Sequence, residues 1–318
     1  MEISVIICTH NPRPHYLSRV LAALRSQTLP MVHWELLVID NASQEPLTSD
    51  TYDLSWHPSA RIVREEELGL STARIRGMNE ATAALLVFVD DDNLLAADYL
   101  AQALKIFGAW PQLGVWGGSV VHEYEVQPPD HLREFVGALG YRDVKAPRWS
   151  NVMTCSDAIP VGAGLCVRAD VARAYIEHCQ NATLRMSGRR GTSLLSGEDF
   201  EICYVACSLG MGMGLFPDLM LLHLIPSHRL TEDYLLRLAE GIHTTGYLLT
   251  YKWQGIRPRS LFAGLGVVSM LRDILYYRGI HRRMYLARLR GIVAARRIIA
   301  AADDSAPLRP IIAPIGLP

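Results

Sequence analysis

The sequence predicts an α/β protein: a mostly parallel sheet with helices on both faces, followed by a C-terminal helical extension. The rhythm of the chain predicts the sheet, and two further observations point to a site and set the tail apart. Short, nearly continuous apolar runs alternate with segments whose apolar residues recur every three or four positions, the rhythm of strands and covering helices in βαβ units. Polar clusters close three of those runs: Thr9/Asn11, Asp40/Asn41/Ser43 and Asp90/Asp91/Asp92. The charge changes sign along the chain. From Lys252 to Ala302 there are eleven Lys or Arg against one acid, Asp273, whereas residues 1–251 carry a net −10, an asymmetry hidden by the overall charge of −1.

Ile3–Cys8 reads as the first strand, and Leu17, Val20, Leu21 and Leu24 mark the buried side of the helix after it. Glu35–Ile39 is a second strand and Arg61–Val63 a short third. Ser71–Ala84 reads as an Ala-rich helix, Leu85–Val89 as a fourth strand, Asp98–Phe107 as a helix and Gly114–Val121 as an extended segment. The stretch His122–Ile159 has no sustained period and reads as a long loop or a set of short elements. Gly188–Gly197 is rich in Gly, Ser and Thr and reads as a loop able to close over a site. Asp199–Ser208 is helical, and two extended pieces follow around Met213–Phe216 and Leu219–Leu224. Thr231 is placed to cap the next helix, with Glu232 and Asp233 in its first turn.

These elements suggest one α/β domain over 1–250 in two halves, 1–121 and 122–250. A basic helical region over 251–302 and a Pro-rich tail over 303–318 follow. With 50% apolar residues the chain can bury a core, which excludes a disordered or low-complexity protein. Six cysteines without a CxxC pair read as buried thiols of a reducing compartment, so a cytoplasmic location is expected. The first residues lack a basic n-region, and no signal peptide is expected.

In open α/β sheets the ligand crevice lies outside the carboxyl ends of the strands, where these polar clusters converge. Three adjacent carboxylates at Asp90-Asp91-Asp92 repel one another unless solvated, protonated or neutralised by a cation. Their hard oxygens suit Mg²⁺ or Mn²⁺, which suit a pyrophosphate; the plainer alternative is a solvated turn capping a helix over Leu94–Phe107. Glu198 and Asp199 open a helix, either for first-turn electrostatics or as a general base at the mouth of the crevice. His223 follows a strand and reads as a structural histidine or as a nitrogen ligand beside the carboxylates; His228 lies five residues on. Arg74 and Arg76 sit early in a helix, against the dipole's preference, which points to an anionic ligand such as phosphate or else to ordinary surface arginines.

With these pieces in order, the chain from about Ile3 to Leu249 resembles the inverting nucleotide-sugar glycosyltransferases of family 2, which have the GT-A fold. The matching segments are V-I-I-C-T-H-N-P, L-L-V-I-D-N-A-S, G-L-S-T-A-R-I-R-G, L-V-F-V-D-D-D-N, V-G-A-G-L-C-V-R and G-E-D-F-E-I-C. The resemblance implies that Thr9 and Asn11 lie beside the nucleotide, that Asp40 reads the base or ribose, and that Arg74 lies near the phosphates. It implies a D-x-D metal motif with Asp90 and Asp92 at its outer positions and Asp91 between. Asp92 would be the direct ligand, and Asp90 would lie nearer the ribose and the metal's waters. It makes Asp199 the catalytic base with Glu198 as its neighbour, gives His223 a place in the metal shell, and makes Gly162-Ala163-Gly164 a turn that lets sugar and backbone approach. His10 stands where the family commonly has Tyr or Phe.

The activity implied is transfer of one sugar from a nucleotide diphosphate donor, UDP foremost, to a saccharide or lipid-linked acceptor in surface polysaccharide or glycolipid assembly, which makes 1–250 the catalytic domain, with 1–121 as its nucleotide-binding half and 122–250 as its acceptor half. The Q-x-x-R-W motif of the processive synthases is absent. A sugar nucleotidyltransferase would need G-x-G-x-R after the first strand, and a dinucleotide oxidoreductase G-x-G-x-x-G; neither is present. An inactive nucleotide-sugar-binding subunit is the remaining rival, disfavoured by the intact acidic clusters. Nucleic acid is not an expected partner, since the basic tail lacks interleaved aromatics.

Leu261–Leu271 is too short to span a bilayer and is broken by Arg272-Asp273. On a helix over Arg282–Ala302, Arg283, Arg290 and Arg297 share one side while Tyr285, Ile292 and Ile299 line the other. Such a helix suits peripheral attachment to an anionic membrane surface on its cytoplasmic face. The alternative is packing on the catalytic domain or on a second copy of the chain in a homo-oligomer.

Overall fold

The computed structural model describes residues 1–154, 157–182, 184, 186, 194–258 and 265–305. Residues 188–193, most of the expected closing loop, and the Pro-rich tail from 306 lie outside the described residues.

The chain begins with β1 (Ile3–Thr9), α1 (Pro14–Arg25), β2 (Trp34–Asn41), β3 (Ala60–Glu65), α2 (Leu70–Glu80) and β4 (Leu85–Asp90). Every residue of β1 and β2 is buried. Their side chains alternate between two apolar layers. Ile3, Val5 and Ile7 pack with Leu17, Val20 and Leu24 of α1, whereas Ile6 and Ile39 face α2 at Gly77, where a side chain would collide with Ile6. Both faces of the sheet are therefore covered, as expected. α2 ends at Glu80, short of the expected Ala84. The chain leaves the helix because Thr82 donates through its N–H and its hydroxyl to Glu35, and the Ala83 N–H binds Ser4 Oγ.

Next come β5 (Asn93–Leu95), α3 (Tyr99–Ala109), β6 (Leu113–Tyr124), β7 (Arg148–Ser150), β8 (Cys166–Arg168), α4 (Ala169–Asn181), α5 (Glu198–Ser208) and β9 (Gly212–Ile225). Leu94 lies in a strand rather than in a helix capped by the acidic turn. The two extended pieces around 213–224 are one strand, whose register against β6 shifts at Gly118/Ser119 to absorb Pro217–Leu219.

The sheet runs β3-β2-β1-β4-β8-β6-β9-β5, with β7 on β9. The half made of β1 to β4 is parallel. The other half is mixed: β8 is antiparallel to β4 and β6, and β9 is parallel to β6 but antiparallel to β5 and β7. The sequence suggested a mostly parallel sheet without locating the antiparallel strands, because buried runs look alike in either direction. Register sets the strand ends flush. Thr9 pairs with Asp40, Cys8 with Asp90 and Asp40 with Arg64, so the polar clusters share one edge.

The described residues form two compact units. The first comprises Met1–Gln127, Leu139–Gln180 and Glu198–Ser227, and holds the sheet with α1 to α5. The second comprises Pro128–Ala138, Asn181–Gly197 and His228–Pro318, with three helices: α6 (Glu232–Gln254), α7 (Leu265–Tyr276) and α8 (Gly279–Ser305). α6 starts as expected, the Thr231 side chain accepting the Tyr234 N–H, and ends at Gly255 in the left-handed region (φ 69°).

Within the second unit α8 packs closely on α6, where Gly291 lies against the Glu240 carbonyl and His243. Ile292 and Ile299, the side chains assigned to lipid, are buried, while Arg283 and Arg290 pair with Glu232 and Glu240 of α6. The face expected to lie on a membrane is thus used inside this unit. No helix of the described residues is long and apolar enough to cross a membrane.

Glu35 offers a measurable handle on the core. Burial opposes its charge, but donors from Thr82, Ser4 and Arg61 outweigh it and lower its pKa below the usual range. Its contribution is complete above the unfolded value of about 4.3 and is lost as pH falls through the lower folded value. Glu35→Gln is expected to cost about 2 kcal/mol at pH 7, with the gap to the parent protein narrowing below about pH 4. Urea unfolding from pH 7 to pH 3 measures both effects.

Candidate active site

Arg74 is the centre of the strand-end edge. Only 3% exposed, it projects from α2 between two acids: Nη2 lies 3.5 Å from Asp90 Oδ1 and Nη1 3.2 Å from Glu198 Oε1. Its guanidinium also stands over the Phe88 ring, 5.5 Å from the centroid. Burial works against the charge, but the fields of Glu198, Asp90 and Asp199 overcome it and raise the pKa above its ordinary value. The sequence suggested a phosphate for this cation. In the structure its partners are carboxylates, and it joins the D-x-D segment to the Glu198-Asp199 pair, Glu198 lying 124 residues beyond Arg74 in sequence.

The turn 162–164 holds the second cluster in place. β8 pairs antiparallel with β4, and the Phe88 N–H donates to the Leu165 carbonyl, which sets the turn beside Asp90. From there the Gly162 N–H donates to Asp199 Oδ2 at 2.9 Å, while Oδ1 accepts the Phe200 N–H. Gly162 faces Arg74 so closely that a Cβ would lie 2.6 Å from Nη2. A small residue is needed there, and the contact that requires it is the arginine.

The three acids of the triplet turn to different partners. Asp90 turns to Arg74, and Asp91 accepts a very short hydrogen bond from the Thr9 hydroxyl. Asp92 is 6% exposed; Oδ1 accepts from Asn93 Nδ2, and Oδ2 faces His223 Nε2 at 3.4 Å. Strand pairing explains the last contact, because Asn93 sits opposite His223 across β5 and β9, and the Leu224 N–H binds the Asp92 carbonyl. Asp92 and His223 therefore converge, but Asp90 does not join them. No group of three or more His, Cys, Asp or Glu side chains forms a metal-binding set among the described residues. The carboxylate suits Mg²⁺ or Mn²⁺ and the imidazole favours Mn²⁺ of the two; such ions take few protein ligands when a diphosphate supplies the others.

His122 had not been singled out from the sequence. It lies opposite His223 across β6 and β9, the rings 5.6 Å apart, with Tyr124 and Tyr141 edge-on to it. Burial and the neighbouring His223 push its pKa down to about 4. The period-two spacing of His122 and Tyr124 on one strand face was the available signal. His228 lies in the second unit, its ring against Tyr234.

The remaining expected residues line the ends of β1 and β2. Asn11 (φ 49°) and Ala42 (φ 53°) both adopt the left-handed region, Ala42 without the side-chain compensation that asparagine has. Asn11 donates its N–H to Ser43 Oγ and accepts the Gln44 N–H at Oδ1. Asp40 is 1% exposed and accepts from the Ser43 and Leu47 N–H groups and from Arg64. Burial opposes its ionisation, and those donors prevail, lowering its pKa. It walls a cavity of about 450 Å³ with Leu47, Thr48, Arg64 and Glu66, within the size range of small-ligand sites.

A family model described as Glycosyl transferase family 2 matches residues 4–162. Among similar proteins, the putative glycosyltransferase EpsH of Bacillus subtilis is 21% identical over 165 residues, 47% of this chain and 46% of that protein. The glycosyltransferase AglE of Haloferax volcanii is 30% identical over 124 residues, 38% of this chain and 40% of that protein. The chain thus spans less than half the length of these relatives. In three dimensions it is similar to S. aureus TarS 1–349, with a TM-score of 0.51 and 15% identity over 96% of this chain and 92% of that one. The same protein in complex with UDP gives a TM-score of 0.50 at 14% identity. These likenesses agree with the GT-A fold expected from the sequence.

Arg74→Ala is expected to leave Asp90 and the buried Glu198 without their shared counter-charge and to cost about 3 kcal/mol or more. Gly162→Ala should displace the guanidinium and lower stability by less than the arginine deletion. Thermal unfolding of both variants, with Arg74→Lys as the charge-preserving control, measures the order.

Proposed function

The chain belongs to glycosyltransferase family 2, and on that premise we propose that it transfers a single sugar, with inversion, from a nucleotide diphosphate sugar to an acceptor hydroxyl. The observation that carries the reading is the anchored carboxylate of Asp199, held by the Gly162 N–H beside Arg74, next to the strand end that bears Asp90 and Asp92. UDP is the first candidate for the nucleotide, in keeping with the UDP complex of the similarly folded S. aureus protein.

Asp199 takes the proton from the acceptor hydroxyl as its oxygen bonds to the anomeric carbon. The anomeric carbon–phosphate oxygen bond breaks on the opposite face, and its electron pair leaves with the nucleotide diphosphate. One base suffices, because the leaving group departs as an anion and needs no acid. Gly162 and Phe200 N–H groups fix the carboxylate's orientation, which keeps the proton acceptor in line with the incoming oxygen. Arg74 holds the Glu198-Asp199 turn against β4, a positioning role in place of direct contact with phosphate.

Asp92 and His223 are assigned as the residues that would hold Mg²⁺ or Mn²⁺, which when bound would offset the charge developing on the diphosphate. Asp90 and Asp91 border that position, while Thr9, Asn11 and Asp40 border the nucleoside. The sugar side of the site is assigned to the acceptor half, and the acceptor to a saccharide or lipid-linked saccharide. The names of relatives support a role in polysaccharide or glycolipid assembly: the H. volcanii glucosyl-dolichyl phosphate glucuronosyltransferase is 22% identical over 139 residues, and the Rhizobium meliloti succinoglycan biosynthesis protein ExoW is 30% identical over 108.

Asp199→Asn is expected to lower transfer by about 10²- to 10⁴-fold while UDP still raises the melting temperature as in the parent protein. His223→Ala should weaken the additional rise given by Mn²⁺ with UDP. Turnover in the Asn variant close to the parent value would overturn the base assignment. A thermal-shift series with UDP, GDP and dTDP, with and without Mn²⁺, selects the nucleotide.

A further inference from the structure

The second unit carries an apolar helix face that the transfer reaction does not use. On α7, Val268, Leu271, Leu275 and Tyr276 are 66%, 53%, 75% and 79% exposed. At 100° per residue they fall within one arc of the helix, interrupted only by Arg272, while Met270 and Ile274 point to the opposite side. The helix therefore has apolar residues on both sides, one set turned toward its own unit and this strip turned outward. Four large side chains in one contiguous strip are a different matter from scattered surface leucines.

The surroundings say what such a strip fits. Residues 265–302 hold eight arginines and one acid, Asp273. Arg278, Arg282, Arg288 and Arg297 are exposed, and among the described residues none of these four forms an ion pair. Tyr276 and Tyr277 stack edge-on at the end of the helix, amphipathic rings of the kind that sit at headgroup level. Behind the strip, Met270 of α7 and Leu286, Leu289 and Val293 of α8 wall an apolar cavity of about 520 Å³ with Arg290 and Arg297 among its lining. An apolar strip with cationic and aromatic neighbours matches an anionic lipid surface, acyl chains against the leucines and phosphates against the arginines.

We propose that α7 is a membrane-contact helix, lying in the interface of an anionic bilayer with Val268, Leu271, Leu275 and Tyr276 inserted. This assigns lipid contact to a different helix from the one the sequence suggested: the apolar side of α8 is packed on α6, whereas the strip on α7 faces outward. The proposal is independent of the transfer reaction, because binding is read without turnover.

The test is flotation of the full chain with phosphatidylcholine vesicles, alone or with about a third phosphatidylglycerol. The parent protein is expected to float with the mixed vesicles and much less with the neutral ones. Leu271→Asp/Leu275→Asp should lower the bound fraction about ten-fold or more. Arg278→Glu should weaken only the anionic preference. The UDP-induced rise in melting temperature, expected to be unchanged in these variants, shows that the first unit is folded. Absence of the parent protein from both vesicle fractions would overturn the proposal, as would equal flotation of the Leu variant. So would a parent dimer that the Leu variant converts to monomer while neither floats, since a second copy would then cover the strip.

Discussion

The buried guanidinium of Arg74 is the contact on which the site's architecture depends. Two carboxylates brought together in a low-dielectric edge would repel each other and pull the strand ends apart. A permanently charged group between them converts that repulsion into two attractions. The arrangement also fixes distance. Asp90 arrives on the end of a central parallel strand, Glu198 on the first turn of α5, and the fork of one side chain sets their separation. Asp199 follows Glu198 in the same turn, so its placement is inherited from the arginine and refined by the Gly162 N–H.

The role assigned to Arg74 also explains why the site tolerates so many acids. Asp91 is engaged by Thr9, Asp40 by Arg64 and two backbone N–H groups, and Asp92 stands against His223. Each carboxylate has its own partner from a different element. A dense acidic cluster becomes a set of separately anchored oxygens, and Asp92 with His223 is the pair whose chemistry suits a divalent ion. Backbone at Asn11 and Ala42 carries the cost: both take left-handed conformations where β1 and β2 deliver their polar residues to the edge.

Much of this was legible in the sequence, for identifiable reasons. The apolar runs of β1, β2 and β4 and the three-four spacing of α1 located the parallel half, because burial on both faces leaves few polar positions to confuse the period. Strand direction was not legible in the other half, since β8 and β6 read alike whichever way they run. The early end of α2 depends on Glu35, far away in sequence, and propensity has no access to that bond. Arg74's partners were hidden because its dipole position pointed to an anion without saying that the anion was internal. The pattern of α8 correctly separated an arginine side from an aliphatic one, but amphipathicity alone cannot say whether the aliphatic side meets lipid or another helix; α6 supplied the answer.

The pairing of β5 with β9 has a consequence for how the molecule fails. Side chains on a pleated strand alternate between faces, so a slip of one position would bring Leu222 or Leu224 opposite Asn93 where His223 now stands. The irregularity at Gly118/Ser119 takes up three residues of β9 and keeps the count correct beyond it. The meeting of Asp92 with His223 is then all-or-none across the population: a chain that mispairs this edge loses the contact outright instead of loosening it by degrees.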